Sequence, residues 1–344
     1  MAVGRLAGLA SVATIAVAAI SCSAGDTRGP DPAVAPEPVP TPESRGPHLY
    51  LGGDGAVWMV DLRGNVTRRE TPALGPGDPP HRLEARDGGL AAWGYETYRL
   101  DDDLRLRPRV IVRDSRFFIP SAHGNRVWVA ISDDDPEVEG LVGAVREVAM
   151  SGRVTVPDVR PPHGGWPEAS LNDGLLFFRK GRRFVWDPVE RKVVFRFDAG
   201  DLGPTQGNLV AWCDFGCEEL RVTDVGTGRE ETFAVPRGFR RFQAWDGAFS
   251  PDGRTLAVPV EPEDARDEVA FALVDVPGGE VSVVDGTRTQ DVYNYVAWSR
   301  SGRYAFFTGA RKTGDRTLMA YRRGDASARS LEAEVGAFYD ATAI

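Results

Sequence analysis

A short pattern recurs along most of this chain and constrains its fold more than any other feature. Each copy is a strand-like segment, a tight turn that ends in glycine, and a second apolar strand-like segment. The clearest copies are residues 247–258 and 295–307. Counting these two, the turn glycines lie 33 to 50 residues apart: Gly88, Gly124, Gly174, Gly207, Gly253 and Gly302. From Pro47 onward no stretch has the sustained 3.6-residue periodicity of an amphipathic helix, so the pattern predicts an all-β domain.

Two further strands follow each copy, as at residues 220–228 and 229–235. Four strands per repeat of this length is the period of a β-propeller blade. Six copies are visible, and a seventh is divided: residues 48–51 look like a second strand without its first, and residues 336–344 like a first strand without its second. Pairing these ends would close a ring and remove its open edges.

We therefore predict one β-propeller over residues 47–344, with seven four-stranded blades closed by pairing of the N- and C-terminal strands. A ring of six or eight blades, or a less regular sandwich, is the alternative.

Two of the turns carry a family resemblance. Residues 249–253 and 297–302 resemble the Ser-Pro-Asp-Gly turn of TolB-like, WD40-like propeller repeats. The resemblance is sharp over two blades and diffuse over the other five. It implies the propeller fold and says much less about activity.

The N-terminus predicts export. Arg5 precedes an apolar run over residues 6–20, which is shorter than the ~20 residues that a membrane-spanning helix needs. Residues 19–22 resemble a lipobox, which implies cleavage before Cys22 and a diacylglycerol on its sulfur. Residues 1–21 are then the signal peptide of a bacterial lipoprotein. An ordinary secretory signal, with Cys22 incidental, is the alternative.

Residues 22–46 are predicted to be the lipidated cysteine and a disordered tether. This segment has little apolar bulk and contains Pro30, Pro32, Pro36, Pro38, Pro40 and Pro42. Such composition favours extended polyproline II. We expect the domain to lie outside the cytoplasmic membrane and to be held to it by the lipid on Cys22.

Export also bears on the two remaining cysteines. Cys213 and Cys217 are separated by three residues, and an oxidising compartment favours a local disulfide between them. A pair of free thiols and a functional pair are the alternatives.

Charge and motifs exclude several classes of function. The net charge is −9, which repels a phosphate backbone, so no nucleic-acid partner is expected. The chain lacks the nucleophile elbow, the zinc-protease motif, the P-loop and the dinucleotide-binding glycine pattern. No catalytic residue, metal site or cofactor is predicted, and the domain is expected to be a monomer.

Loop lengths indicate which end of the propeller carries the binding function. The turns between first and second strands, and between third and fourth, fall at one end and are tight, as at Gly253 and Gly279. The other connections fall at the opposite end and are long: residues 71–81, 133–143, 160–167, 261–267 and 287–293. Long loops add ordering cost without adding core, and they often carry function.

Aromatic and basic side chains at the long-loop end are the candidate ligand- or partner-binding residues: His163, Trp166, Arg240, Arg241, Trp245 and Tyr293. Such side chains often anchor interfaces, although they could instead pack between blades. The favoured function is a cell-surface, non-catalytic binding or scaffolding module for an unidentified protein or envelope ligand. The alternative is an extracytoplasmic lyase or glycan hydrolase with its site at the mouth of the propeller channel.

Overall fold

Most of the chain from Gly46 onward is described by a computed structural model. The described residues are 46–53, 56–70, 82–86, 89–93, 97–100, 117–132, 142–149, 151–162, 165–197, 200–291, 294–310, 315–336 and 338–343. The predicted signal peptide, Cys22 and most of the tether lie outside these ranges, as do His163 and Tyr293. Within them, no helix is long and apolar enough to cross a bilayer.

The described residues form strands and a short 3-10 helix, Ala244–Asp246. The strands are β1 (His48–Gly53), β2 (Ala56–Asp61), β3 (Val66–Glu70), β4 (Arg82–Arg86), β5 (Gly89–Trp93), β6 (Thr97–Leu100), β7 (Phe117–Pro120), β8 (Arg126–Ser132), β9 (Val142–Ala149), β10 (Val154–Val159), β11 (Trp166–Leu171), β12 (Gly174–Arg179), β13 (Arg182–Asp187), β14 (Lys192–Phe197), β15 (Asp201–Gln206), β16 (Leu209–Cys213), β17 (Glu219–Asp224), β18 (Arg229–Ala234), β19 (Phe239–Phe242), β20 (Ala248–Phe249), β21 (Thr255–Pro262), β22 (Glu268–Asp275), β23 (Glu280–Val283), β24 (Thr289–Gln290), β25 (Val296–Trp298), β26 (Tyr304–Ala310), β27 (Arg316–Arg322), β28 (Arg329–Leu331) and β29 (Phe338–Ala343).

These strands pair into antiparallel sheets made mostly of consecutive strands. Four sheets have four strands each: β29-β1-β2-β3, β7 to β10, β11 to β14 and β15 to β18. Strands β4 to β6 form a three-stranded sheet, and β19 to β28 form one sheet of ten strands. The all-β prediction is confirmed.

The first and last strands of the domain pair with each other, as predicted. The last strand, β29, lies beside β1, with Leu49 opposite Ala343 and Tyr50 opposite Thr342. Buried side chains from both strands, including Leu49 and Phe338, share one apolar cluster with Trp58 and Leu318. The closure therefore rests on backbone pairing and on side-chain burial together.

The first strands of successive groups of strands contact one another in order. The contacts run from β7 to β11, β15, β20, β25 and β29, and then from β29 to β4. Sheets arranged radially about their first strands form a β-propeller. The predicted propeller fold is confirmed at this level.

Among the described residues the number of separate four-stranded sheets is four, not the predicted seven. The short strand β24 explains part of the difference, because it pairs with β22 at Glu268 and with β26 at Ala310. It thereby joins two groups of strands into the ten-stranded sheet. The sheet of β4 to β6 precedes residues 101–116, which lie outside the described residues.

The Ser-Pro-Asp-Gly turn forms between β20 and β21 as the sequence predicts. The Ser250 backbone N–H donates to the Thr255 carbonyl, and the Thr255 N–H donates to Ser250 Oγ at 3.0 Å. Gly253 has a φ of +69°, in the left-handed region that glycine tolerates best. Ser299 and Tyr304 repeat the same pair of hydrogen bonds.

Strand direction defines two ends of the domain. We call the end with the turns between first and second strands the plain end, and the opposite end the loop end. Because β1 is the second strand of its sheet, it starts at the plain end, and the described chain enters the domain there.

Candidate functional site

Exposed aromatic side chains gather at the loop end. Among the aromatic residues whose side chains the structure describes, the exposed ones are Trp166, Phe178, Phe215 and Trp245, each at least 36% exposed. Trp166 begins β11 and faces Phe178 across the sheet. Phe215 follows β16, and Trp245 lies in the 3-10 helix. Trp166, Phe178 and Phe215 are at the loop end of two consecutive groups of strands, and Trp245 lies midway along the first strand of the next group.

Phe215 lies at the tip of a disulfide-closed loop. Cys213 and Cys217 are bonded to each other, as predicted. The Cys217 N–H donates to the Asp214 carbonyl at 2.9 Å, and the Cys217 carbonyl accepts from the Phe242 N–H at 2.9 Å. The loop is therefore tied to the next first strand, while the Phe215 ring is fully exposed.

The two predicted binding arginines share a buried carboxylate. Arg240 and Arg241 both form ion pairs with Glu261, which is 4% exposed. Arg241 faces Glu261 across the β19–β21 pairing. Charge-assisted pairing of this kind fixes both guanidinium groups, so these arginines support the loop-end structure as well as lining its surface.

The first strand that pairs with β21 is broken beside these arginines. Strand β19 ends at Phe242 opposite Val260, and β20 resumes at Ala248 opposite Ala257. Residues 243–247 therefore face only residues 258–259. Pro259 lies in that gap: its carbonyl accepts from the Gln243 N–H at 2.9 Å, but it has no N–H to donate to the first strand in return.

The neighbouring first strand is broken in the same way. Gln290 of β24 faces Ala310, and Val296 of β25 faces Phe307, so only residues 308–309 of β26 lie between the two pairings. Gly309 occupies the place that Pro259 has in the other break. A Cβ at Gly309 would lie 2.3 Å from the Thr289 side chain, so that close packing needs glycine.

The two breaks meet at one carboxylate. Asp291 accepts a hydrogen bond from Gln243 Nε2 at 2.8 Å and another from Asn294 Nδ2 at 2.8 Å. Gln243 comes from one break, and Asp291 and Asn294 come from the other. Both amide side chains are buried, at 3% exposed for Gln243 and 1% for Asn294.

Small residues let the 3-10 helix pack against the preceding sheet. Ala244 is fully buried, and a Cβ on Gly203 of β15 would lie 2.9 Å from its carbonyl oxygen. Gly247 is similarly tight, 2.9 Å from the Ala257 carbonyl. With Ala244 fixed inward, Trp245 points out into solvent.

Asp246 has an unusual environment for a carboxyl group. Burial raises its pKa from 3.8 to about 6, and the nearby Asp291 carboxylate adds to the rise. A hydrogen bond with the Trp245 side chain partly opposes the shift. At neutral pH a measurable fraction of Asp246 is protonated.

Several buried polar atoms at this end have no hydrogen-bond partner. Within the described ranges, the unpartnered side-chain atoms are Arg240 Nε, Gln243 Oε1, Asn294 Oδ1 and Thr317 Oγ1. Arg240 lies near the loop-end start of β19, and Thr317 lies near the loop-end start of β27. Buried polar groups in folded proteins are normally paired, so each of these atoms calls for a physical explanation.

The structure thus places four of the six predicted binding residues. Arg240, Arg241 and Trp245 lie together on one broken strand, and Trp166 lies on a different sheet. His163 and Tyr293 fall outside the described residues. Sequence reasoning missed Gln243, Asp246, Asp291 and Asn294. The sequence signal for the first break was Pro259, a proline in the middle of an apolar strand.

No cluster of histidine, cysteine and carboxylate side chains suited to a metal ion occurs in the described part of the chain. No family model matches this chain, and no curated protein matches it.

Solved structures match the fold. Apo AztD from Citrobacter koseri superposes with a TM-score of 0.55 at 12% identity, covering 87% of this chain and 97% of that chain. A putative 6-phosphogluconolactonase from Bacteroides fragilis gives 0.53 at 12% identity, covering 89% and 99%. A functionally unknown protein from Desulfotomaculum acetoxidans gives 0.50 at 11% identity, covering 83% and 95%. At such low identity these similarities support the fold alone.

Proposed function

We propose that this protein is a lipid-anchored, extracytoplasmic β-propeller that binds a protein or envelope ligand through its loop end without catalysis. The proposal combines the predicted lipobox at Cys22 with the distribution of exposed apolar side chains.

That distribution is the observation that carries the proposal. The exposed aromatics Trp166, Phe178 and Phe215 lie at the loop end, and Trp245 lies midway along a first strand. The exposed valines Val154 and Val189 lie at or next to plain-end turns, and Val194 lies within the fourth strand β14. Large aromatic side chains contribute most to interface free energy when a partner covers them, whereas single exposed valines are ordinary on a soluble surface.

We also propose that the ring has seven blades. Seven first strands support this number: β29, β4, β7, β11, β15, the broken strand β19–β20 and the broken strand β24–β25. On this interpretation the ten-stranded sheet is two blades joined by β24. An experimental structure with six or eight blades would contradict it.

An enzyme is the second candidate, and Asp246 is the observation that favours it. A carboxyl group with a pKa near 6 beside the carboxylate of Asp291 could act as a general acid on a glycosidic bond. Chromatography of oligosaccharides incubated with the purified chain and with Asp246→Asn tests this. Turnover that disappears in the variant would replace the non-catalytic assignment.

The main test compares matched variants in pull-downs from detergent-solubilised envelopes. One variant, Trp166→Ser with Phe215→Ser, removes exposed aromatics from the loop end. Its control, Val154→Ser with Val189→Ser, removes exposed apolar groups near the plain end. Both should melt like the parent chain.

We expect the loop-end variant to retain less than a tenth of the bound partner and the plain-end variant to retain all of it. The reverse result, or equal retention by both variants, would contradict the assignment of the loop end.

A further inference from the structure

A cavity opens at the plain end, away from the exposed aromatics of the loop end. It has a volume of about 320 Å³. Its lining is polar, and four of its five residues are charged, two of each sign: Asp252, Arg254, Thr255, Asp275 and Arg323. These residues come from the turn and strand start at β21, the end of β22 and the turn after β27. The cavity therefore lies between two neighbouring groups of strands.

Two of these charges are already paired and fixed. Arg323 Nη1 donates to Asp252 Oδ2 at 3.1 Å, and Arg323 Nη2 donates to Thr255 Oγ1. The other Asp252 oxygen accepts from Ser250 Oγ at 2.5 Å. The Arg323 guanidinium also lies over the Trp298 ring, 6.0 Å from its centroid. Arg323 and Asp252 therefore form one wall of the cavity, and their charges balance each other.

The other two charges, on Arg254 and Asp275, remain accessible. Both residues are exposed, and within the part of the chain that the structure describes neither side chain forms an ion pair. The backbone beneath them is fixed, because Thr255 faces Asp275 across the β21–β22 pairing and the Val276 N–H donates to the Arg254 carbonyl at 3.0 Å. Water hydrates both charged groups in the free protein, and a ligand that enters the cavity can reach both.

This arrangement of charges indicates a class of ligand. The four charges sum to zero, so the cavity as a whole favours neither an anion nor a cation. Because Arg323 and Asp252 engage each other, one positive and one negative group remain for a ligand. A molecule with one carboxylate and one ammonium group can form a charge-assisted hydrogen bond to each.

The size and lining of the cavity limit the rest of the ligand. Ligand pockets commonly have volumes of about 300–1,000 Å³, and this cavity is at the small end of that range. Its polar lining provides no surface for a large apolar group. A small, strongly polar molecule fits both limits.

We infer that this plain-end cavity binds a small zwitterion, a molecule with one ammonium and one carboxylate group, such as a free amino acid. The carboxylate would pair with Arg254 and the ammonium group with Asp275, beside the fixed wall of Arg323 and Asp252. This binding function is additional to the partner binding proposed for the loop end, and neither requires the other.

The test is calorimetric titration of the full chain at low ionic strength with glycine, β-alanine and γ-aminobutyrate. These probes differ in the distance between the ammonium and carboxylate groups. Propionate and propylamine are the analogues that carry a single charge. We expect one zwitterion to bind about fivefold more tightly than either analogue, because each analogue lacks one partly exposed ion pair.

Variants of the two accessible charges identify the site. Arg254→Gln and Asp275→Asn should each weaken zwitterion binding about fivefold, which is the loss of one such ion pair. Arg254→Lys keeps the positive charge and should bind more tightly than Arg254→Gln. All three variants should melt like the parent chain, since both side chains are exposed.

The matched controls remove exposed charges at the same end but outside the cavity. Arg303→Gln changes the arginine that follows the turn at Gly302, as Arg254 follows the turn at Gly253. Glu190→Gln changes an exposed carboxylate in the plain-end turn between β13 and β14. Both should bind the zwitterion like the parent chain.

Three results would overturn the inference: no zwitterion binds more tightly than its single-charge analogues, the control variants weaken binding as much as the cavity variants do, or propionate binds as tightly as every zwitterion and depends on Arg254. The last result would make the cavity an anion site. The Trp166/Phe215 double variant should bind the zwitterion normally, so failure of the loop-end assignment and failure of this site are distinguishable.

Discussion

The backbone N–H of Phe242 donates to the carbonyl of Cys217 at 2.9 Å. This hydrogen bond links a disulfide-closed loop of one sheet to the first strand of the next. The same first strand breaks immediately after Phe242, so the loop and the break are neighbours at the loop end.

Replacing Cys213 and Cys217 with Ser should lower the free energy of unfolding by about 2 kcal/mol, because the short closed loop removes only a small amount of chain entropy. Urea unfolding with and without reductant measures this. The parent should respond to reductant and the double variant should not. Two free thiols in the non-reduced protein would contradict the disulfide.

Asp246→Asn should stabilise the domain at pH 8 and have little effect at pH 4. The folded pKa of Asp246, about 6, lies above its ordinary value of 3.8. The folded state therefore binds this proton more tightly, and the associated stability is lost as pH rises through 6. After allowing for partial solvent screening we expect about 1–2 kcal/mol. Thermal melts at both pH values test this, and an equal change at both would argue against the raised pKa.

Glu261→Gln should destabilise the domain by about 3 kcal/mol, because it leaves two guanidinium groups beside a buried uncharged side chain. Glu70→Gln is the control, since Glu70 pairs with Arg68 where both side chains are more than half exposed and should cost less than about 1 kcal/mol. Equal denaturant midpoints for the two variants would show that Glu261 stabilises the domain no more than the exposed Glu70 does.

Removing residues 336–344 should open the ring. The deletion takes away β29 and exposes the edge of β1 that it covers, which invites association through unpaired strand edges. Light scattering and thermal melts should show aggregation and a large loss of stability. A truncated chain that stays monomeric and melts within a few degrees of the full chain would contradict this role for β29.

Cys22→Ala should abolish lipid attachment and release the protein from membranes, because we propose the Cys22 sulfur as the acylated group. Metabolic labelling with a palmitate analogue measures this directly, and Cys213→Ser with Cys217→Ser serves as the control that keeps the label. Equal labelling of the Cys22→Ala chain would remove the lipoprotein assignment.

The sequence was informative where a local rule determines structure. The turn at Gly253 requires a left-handed residue, and its Ser250–Thr255 hydrogen bonds involve positions five apart. The pairing of the first strand with the last was also predictable, because a propeller needs its open edges paired.

The site depends on distant contacts that no local pattern encodes. Gln243 meets Asp291 across 48 residues, and Arg240 and Arg241 reach Glu261 across 21 and 20 residues. Sequence reasoning therefore treated the arginines as binding groups and did not find the carboxylate that holds them. Pro259 indicated the break between β19 and β20, but a proline does not predict where the displaced residues lie.

Strand β24 has a final consequence. It pairs with both β22 and β26, so the two strand groups that flank the Gln243–Asp291 contact cannot separate without breaking backbone pairing. A partner that docks on these two groups would meet a surface whose halves are already fixed to each other. The entropy lost on association would then fall mainly on the partner.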